Sequence, residues 1–227
     1  MRIKAGIIAA GCFLSLSAVA GTMGPVQDAE YRPWSVVGSL GYTWWDSVYD
    51  GGFVADTDAQ LAIGDGQTPL GRFAIARDFG AYKTVRFGAE LGVQNGNTVR
   101  LGYSEEQLDL LGGMPVQATM KPMLDLLATA AWQPMESVPA FGLVKAGIAY
   151  RRLQINDRTS VNDVSEVAFE IQAGLGMHIS DRANLSLNYQ GVFNGSTSYA
   201  VHPIPGTGHI SNIPNQNGLL LSLSYTV

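Results

Sequence analysis

Charged and titratable side chains recur on the polar face of otherwise alternating apolar stretches of this chain. Seven of them would share one enclosed interior if those stretches were strands: Arg86, Glu90, Lys121, Asp125, Lys145, Arg151 and Glu170. Both signs of charge occur in this set, and an unpaired charge removed from water is costly. We therefore expect a network of ion pairs. Such a network either fills an interior or lines a narrow solute pore whose pairs rearrange.

No metal or cofactor motif accompanies these charges. His178, on the polar face of its stretch, is a lone histidine and is expected to form a local hydrogen bond. Asp56 and Asp58 lack the ligand spacing and the glycine of a calcium-binding EF-hand loop. We expect no cofactor and no metal site. The composition also lacks the basic surface that nucleic acid binding requires.

The stretches that carry the charges have the period of two that is typical of β-strands. The last nine residues show it clearly, since Leu219, Leu221, Leu223, Tyr225 and Val227 share one face and Ser222, Ser224 and Thr226 share the other. Similar alternation occurs near residues 34–44, 72–79, 84–94, 120–132, 144–151, 166–179 and 184–190. The sequence therefore predicts eight strands.

Short and long connections alternate between these strands. Gly80–Tyr82, Gln133–Val138 and Ser180–Arg182 are predicted turns, whereas Asp46–Leu70, Asn95–Gln117, Leu153–Ser165 and Asn194–Gln216 are long and polar. An up-and-down membrane barrel has this arrangement, with turns at one end and loops at the other. A soluble eight-stranded sandwich also alternates its faces, but it does not predict that every long loop lies at one end. We therefore predict an all-β, eight-stranded antiparallel transmembrane β-barrel.

The N-terminus and the composition are typical of an exported membrane barrel. Arg2 and Lys4 precede an apolar run that ends at Ala18-Val19-Ala20, which predicts a signal peptide over residues 1–20. We assign 21–33 to an N-terminal periplasmic segment and 34–227 to the barrel domain. Charged residues make up 15% of the chain, with 27 glycines, whereas soluble proteins carry about a quarter charged residues.

With these features the chain resembles the small eight-stranded outer-membrane barrels of the OmpA and OmpX type. The terminal strand, with an aromatic residue third from the end, resembles the signal that the Gram-negative barrel insertion machinery recognises. The resemblance implies a monomer in the outer membrane of a Gram-negative cell, in contact with lipid and lipopolysaccharide. It also implies surface loops that are available to a surface or host partner.

One segment resembles a motif of a barrel enzyme family. His209-Ile210-Ser211-Asn212 is similar to the His-x-Ser-Asn motif of the outer-membrane lipid A deacylases. That resemblance implies His209 as general base and Ser211 as nucleophile. The acid that the family places at the start of the last strand is missing here, where the chain reads Gly218-Leu219-Leu220. We also expect the glycines and prolines around the motif to make an irregular loop.

The sequence therefore favours a structural or surface-interaction role, adhesin-like or antigen-like, without enzymatic activity. The alternatives are a lipid A deacylase that uses His209 and Ser211, and a narrow solute pore. In the second surface loop, Ser104-Glu105-Glu106-Gln107 has the pattern of a helix N-terminus ahead of Leu108, and Gly112 has that of a helix end. We therefore predict a short helix there.

Overall fold

The computed structural model describes residues 33–45, 48–50, 60–61, 68–101, 116–134, 138–155, 160–161, 163–195, 198–201 and 207–227. The predicted signal peptide, nearly all of the 21–33 segment and the predicted helix near 104–112 lie outside these residues. The strands in chain order are β1 (Trp34–Trp45), β2 (Val48–Asp50), β3 (Gln60–Leu61), β4 (Thr68–Tyr82), β5 (Val85–Gln94), β6 (Asn97–Leu101), β7 (Val116–Met120), β8 (Met123–Trp132), β9 (Ala140–Ile155), β10 (Ser160–Val161), β11 (Val164–His178), β12 (Ala183–Phe193), β13 (Ser198–Val201), β14 (Thr207–Ile210) and β15 (Gln216–Thr226).

Eight of these strands close into one antiparallel barrel, in the order β1-β4-β5-β8-β9-β11-β12-β15 and back to β1. The last strand closes it, because Leu221 of β15 lies opposite Leu187 of β12 and Leu40 of β1. Short connections at 83–84, 133–139 and 179–182 meet at what we call the turn end, and four long connections meet at the loop end. The predicted fold class is confirmed.

The two faces of the barrel wall differ in polarity. Apolar side chains cover the outside, where Leu40 is 73% exposed and Leu91 59% exposed, whereas Glu90, next to Leu91 on β5, is only 3% exposed on the inside. Aromatic rings stand exposed near the turn end, among them Trp34, over which the guanidinium of Arg77 lies at 5.1 Å. An apolar outer surface around a polar interior is the pattern of a barrel that spans an outer membrane. Among the described residues, no helix is long and apolar enough to cross a membrane.

The first hairpin differs from its prediction. The predicted turn at Gly80–Tyr82 is wrong, because β4 continues through these residues and the chain reverses at Lys83 and Thr84. A register shift between Asp78 and Gly80 accommodates the extra residue, with φ at Gly80 of 138°. Such a bulge breaks the period of two that identifies a strand in the sequence. Backbone in this region of φ favours glycine.

Three of the loops share a second, five-stranded sheet at the loop end, which we call the loop sheet. Its order is β10-β14-β13-β2-β3, and two of its contacts, β10 with β14 and β13 with β2, are parallel. It thereby joins the connection after β1, the connection after β9 and the connection after β12. The expected irregular loop around His209 is wrong at residues 207–210, which form strand β14.

Candidate functional site

A cluster of four buried charges occupies the barrel interior. Arg72 of β4 donates from Nη1 to Oε1 of Glu90 at 2.6 Å and from Nε to Oδ2 of Asp125 at 2.9 Å, with a second bond from Nη2 to Oδ1 of Asp125. Lys145 donates from Nζ to both carboxylate oxygens of Glu90, at 2.9 and 2.8 Å. All four residues are at most 4% exposed. Two cations and two carboxylates thus neutralise each other, as buried charges require.

Four consecutive strands of the barrel, β4, β5, β8 and β9, supply these residues. Gly92 of β5 lies beside Arg72 and Asp125, and a Cβ at this position would approach the Arg72 Cζ and the Asp125 Oδ1 to 2.7 Å. Only glycine therefore leaves room for the guanidinium and the carboxylate to meet. The sequence thus supplies both the charged side chains and the glycine that leaves space for them.

A chain of amide side chains continues the polar interior to the opposite wall. Oε1 of Glu170 accepts hydrogen bonds from Nε2 of Gln172 and from Nε2 of Gln190, each at 2.7 Å. Nε2 of Gln190 also donates to Oε1 of Gln94 at 3.0 Å. Gln190 lies on β12 and Gln94 on β5, four strands away around the barrel. This bond spans the lumen.

A small apolar cluster lies toward the loop end from these polar groups. Met123, Ala149, Ala168 and Val192 pack together, each at most 2% exposed. They point inward from β8, β9, β11 and β12, at positions nearer the loop end than Asp125, Lys145, Glu170 and Gln190 on the same strands. Apolar side chains form no hydrogen bonds, so water or an ion on that side of the lumen would lack hydrogen-bond partners.

The connection from β14 to β15 enters the barrel mouth above this cluster. Ile213 is fully buried, and its N–H donates to Oε1 of Glu166 at 2.7 Å. Nη2 of Arg151 donates to the carbonyl of Pro214 at 2.8 Å, while the guanidinium lies 5.1 Å from the Trp45 ring centroid. Two opposite charges on β9 and β11 therefore hold this segment, which covers part of the lumen.

The structure places five of the seven charges of the predicted network inside the barrel: Glu90, Asp125, Lys145, Arg151 and Glu170. Arg86 instead lies exposed near the turn end, where its Nη1 is 3.6 Å from Oδ2 of Asp78. Lys121 lies between β7 and β8, half-buried at the mouth. The predicted network did not include Arg72. It lies on the polar face of β4, the strand whose bulge weakened the alternation.

The histidines lie apart from the charge cluster. His178 near the turn end has its Nδ1 2.5 Å from Oδ1 of Asn184 and its ring 5.1 Å from that of Phe141. The backbone of His209 belongs to β14, opposite Ala200 of β13, and Ser211 follows directly. Beyond this motif, the backbone N–H of Ile213 donates a hydrogen bond to the carboxylate of Glu166. Among the described residues, no group of three or more His, Cys, Asp or Glu side chains is placed to hold a metal ion.

Several solved structures of outer-membrane proteins are similar to this chain. The outer membrane protein OprG from Pseudomonas aeruginosa is similar over 87% of this chain and 97% of its own, at 10% identity and a TM-score of 0.55. Neisserial surface protein A matches over 86% and 97% at 10% identity and a TM-score of 0.48. Ail of Yersinia pestis matches over 87% and 100% at 14% identity and 0.41. No protein-family model and no curated protein sequence matches the chain. The similarity to OprG shows the fold, an outer-membrane β-barrel.

Proposed function

We propose that this protein is a non-conducting outer-membrane barrel that presents its loop sheet as a contact surface for a partner outside the cell. The observation that carries the proposal is the pairing of three separate loops into one sheet above a filled interior. Binding sites on loops need a scaffold that holds the loops in place. Here the loops supply part of that scaffold themselves, on top of the barrel.

The filled interior supports a structural role for the lumen and argues against the narrow pore. Arg72, Glu90, Asp125 and Lys145 join four neighbouring strands through ion pairs. Gln190 and Gln94 connect opposite walls at 3.0 Å. Barrels of eight strands have an interior just wide enough for side chains to fill it. These bonds support a role of the interior in stabilising the wall rather than in solute transport.

The charge of the loops indicates the chemistry of the partner. The connection that contains β2 and β3 carries Asp46, Asp50, Asp56, Asp58 and Asp65. Positive potential on one surface and negative potential on the other increases the rate of association and selects the partner. We therefore infer that the partner presents basic residues to the loop sheet, and that salt weakens the contact.

Attachment of cells that display the protein tests this proposal. A Gram-negative strain without other adhesins would carry the wild type, or a variant with residues 198–210 replaced by a short Gly-Ser turn. A control variant has residues 102–115 replaced, in a connection outside the loop sheet. We expect attachment to epithelial cells or immobilised matrix proteins for the wild type and the control. It should be lost in the 198–210 variant and fall between 50 and 300 mM NaCl.

Two results would contradict the proposal. One is attachment no greater than that of the strain without the protein. The other is undiminished attachment of the 198–210 variant, provided that this variant reaches the outer membrane and keeps the heat-modifiable gel mobility of a folded barrel.

A further inference from the structure

We propose that a cavity in the barrel mouth binds a small oxyanion, of the carboxylate, sulfate or phosphate class. The cavity lies between the loop-end parts of β1, β4, β5 and β8 and the start of β15. Among its lining residues are Trp45, Lys121 and Gln216. The inference is independent of the loop sheet and of its partner.

The size of the cavity limits what it can hold. Its volume is about 20 Å³, and a single enclosed water needs about 10–15 Å³ by a comparable measure. One or two water-sized groups therefore fit. A sugar ring does not fit, whereas the charged oxygens of a carboxylate, or part of a sulfate or phosphate, do.

Two residues that line the cavity each carry a buried hydrogen-bond donor without an acceptor. Nε1 of Trp45 and Nε2 of Gln216 have no hydrogen-bond partner within the part of the chain that the structure describes, and Gln216 is 2% exposed. An indole nitrogen can only donate. A buried donor without an acceptor costs free energy, so a group that brings acceptor oxygens would be stabilised here.

The charges around the cavity favour an anion over a neutral acceptor. Lys121 forms part of its wall. Arg151 stacks on the Trp45 ring at 5.1 Å, and its Nε and Nη1 also have no partner among the described residues. No Asp or Glu of the described chain lines the cavity. Glu166 and Arg151 instead hold the Ile213–Pro214 segment beside it.

A single bridging water is the competing occupant. Such a water would accept from Trp45 and Gln216, but its own two hydrogens would then need acceptors in the same cavity. Oε1 of Gln94, which lines the cavity, already accepts one hydrogen bond, from Gln190, so it offers a second lone pair to only one of the two water hydrogens. An oxyanion needs only donors. The donors that lack partners therefore match it better.

Titration of the folded full-length barrel in a zwitterionic detergent tests the site. Sodium sulfate and sodium acetate are the probes, tryptophan fluorescence and calorimetry are the readouts, and sodium chloride at equal ionic strength is the reference. We expect saturable binding of at least one probe. Trp45→Phe and Gln216→Leu should each weaken it about tenfold, which corresponds to about 1.4 kcal/mol. Trp132→Phe, which changes an exposed ring near the turn end, should bind as the wild type does.

The outcomes separate the alternatives. If sulfate and acetate give responses no larger than those of chloride, the cavity holds only a bridging water and the proposal is overturned. Normal binding by the Trp45→Phe variant would overturn it as well. Trp45→Phe carries the test if Gln216→Leu does not fold. Repetition in a phosphate-free detergent and in nanodiscs of a neutral phospholipid identifies the source of the anion. Weaker sulfate binding in the nanodiscs assigns the site to lipid phosphate, and equal binding assigns it to a soluble anion.

Discussion

At the scale of single residues, the absence of a side chain matters as much as the charges do. The bidentate contact between Arg72 and Asp125 exists because Gly92 places no atoms between them. Arg72 cannot simply move aside, since it also bonds Glu90, which in turn bonds Lys145. An added methyl group must therefore displace a guanidinium that is fixed on two sides.

We expect Gly92→Ala to lower the free energy of unfolding by about 1–3 kcal/mol, the range for overpacking a filled interior. Urea or guanidinium unfolding in detergent, followed by gel mobility, measures this. Gly71→Ala is the matched control, because a Cβ there meets nothing within 4 Å. That variant should stay within about 0.5 kcal/mol of the wild type. Equal stability of the two variants would mean that the Arg72–Asp125 contact contributes little.

Which of the interior residues a sequence can identify depends on the strand that carries them. Glu90 and Asp125 were predicted because β5 and β8 alternate without interruption. Arg72 was overlooked because β4 combines a bulge with Arg77 on its outer face. The sequence of one strand also does not predict which residue a charge pairs with. Glu90 pairs with residues of β4 and β9. Arg86, four residues earlier on the same face, pairs with Asp78 instead.

At the scale of elements, the connection between β14 and β15 does more than link two strands. Arg151 and Glu166 hold its residues 213 and 214 inside the mouth, in a position that the Pro-rich sequence of this connection does not indicate. Its backbone then continues directly into β15. The end of the last loop is therefore part of the barrel core.

We expect Arg151→Met to increase amide hydrogen exchange at Ile213 and Gln216 by at least tenfold, because the Pro214 carbonyl loses its charged donor. Global stability should fall by about 1–3 kcal/mol, the cost of an unsatisfied buried group. Arg152→Met is the control: its side chain is about half exposed and contacts Asp163 at 3.2 Å. Unchanged exchange in Arg151→Met would show that packing of Ile213 alone holds the segment.

Long strands and short strands differ in how far the sequence predicts them. The closing strand β15 was predicted within a few residues because a period of two over nine residues is hard to produce otherwise. The loop sheet was not predicted. Its strands have two to four residues, too few for any period, and the pairings of β10 with β14 and of β13 with β2 join different loops. Such pairing depends on the barrel having already brought the loops together.

At the scale of the whole molecule, the interior determines whether the barrel conducts. Polar side chains bond across the lumen, an apolar cluster lies above them, and the Ile213–Pro214 segment lies above that. We expect no discrete current steps from the wild type in planar lipid bilayers at 1 M KCl. Lys145→Ala should stay closed or show brief, small events, since Arg72 still pairs with Glu90 and Asp125. Regular steps from the wild type, changed in size by Lys145→Ala, would support the solute pore instead.

The loop sheet also affects how the exposed surface can change over evolutionary time. The connection between β12 and β15, the fourth loop of the barrel, contributes β13 and β14 to this sheet. These strands pair with β2 in the first loop and with β10 in the third loop. A substitution that shifts the fourth loop therefore disturbs two neighbours, so the three loops cannot diversify independently. Under immune selection, viable variants should carry compensating changes in more than one loop. Antibodies raised against this face should accordingly recognise epitopes assembled from several loops, which a single linear peptide does not reproduce.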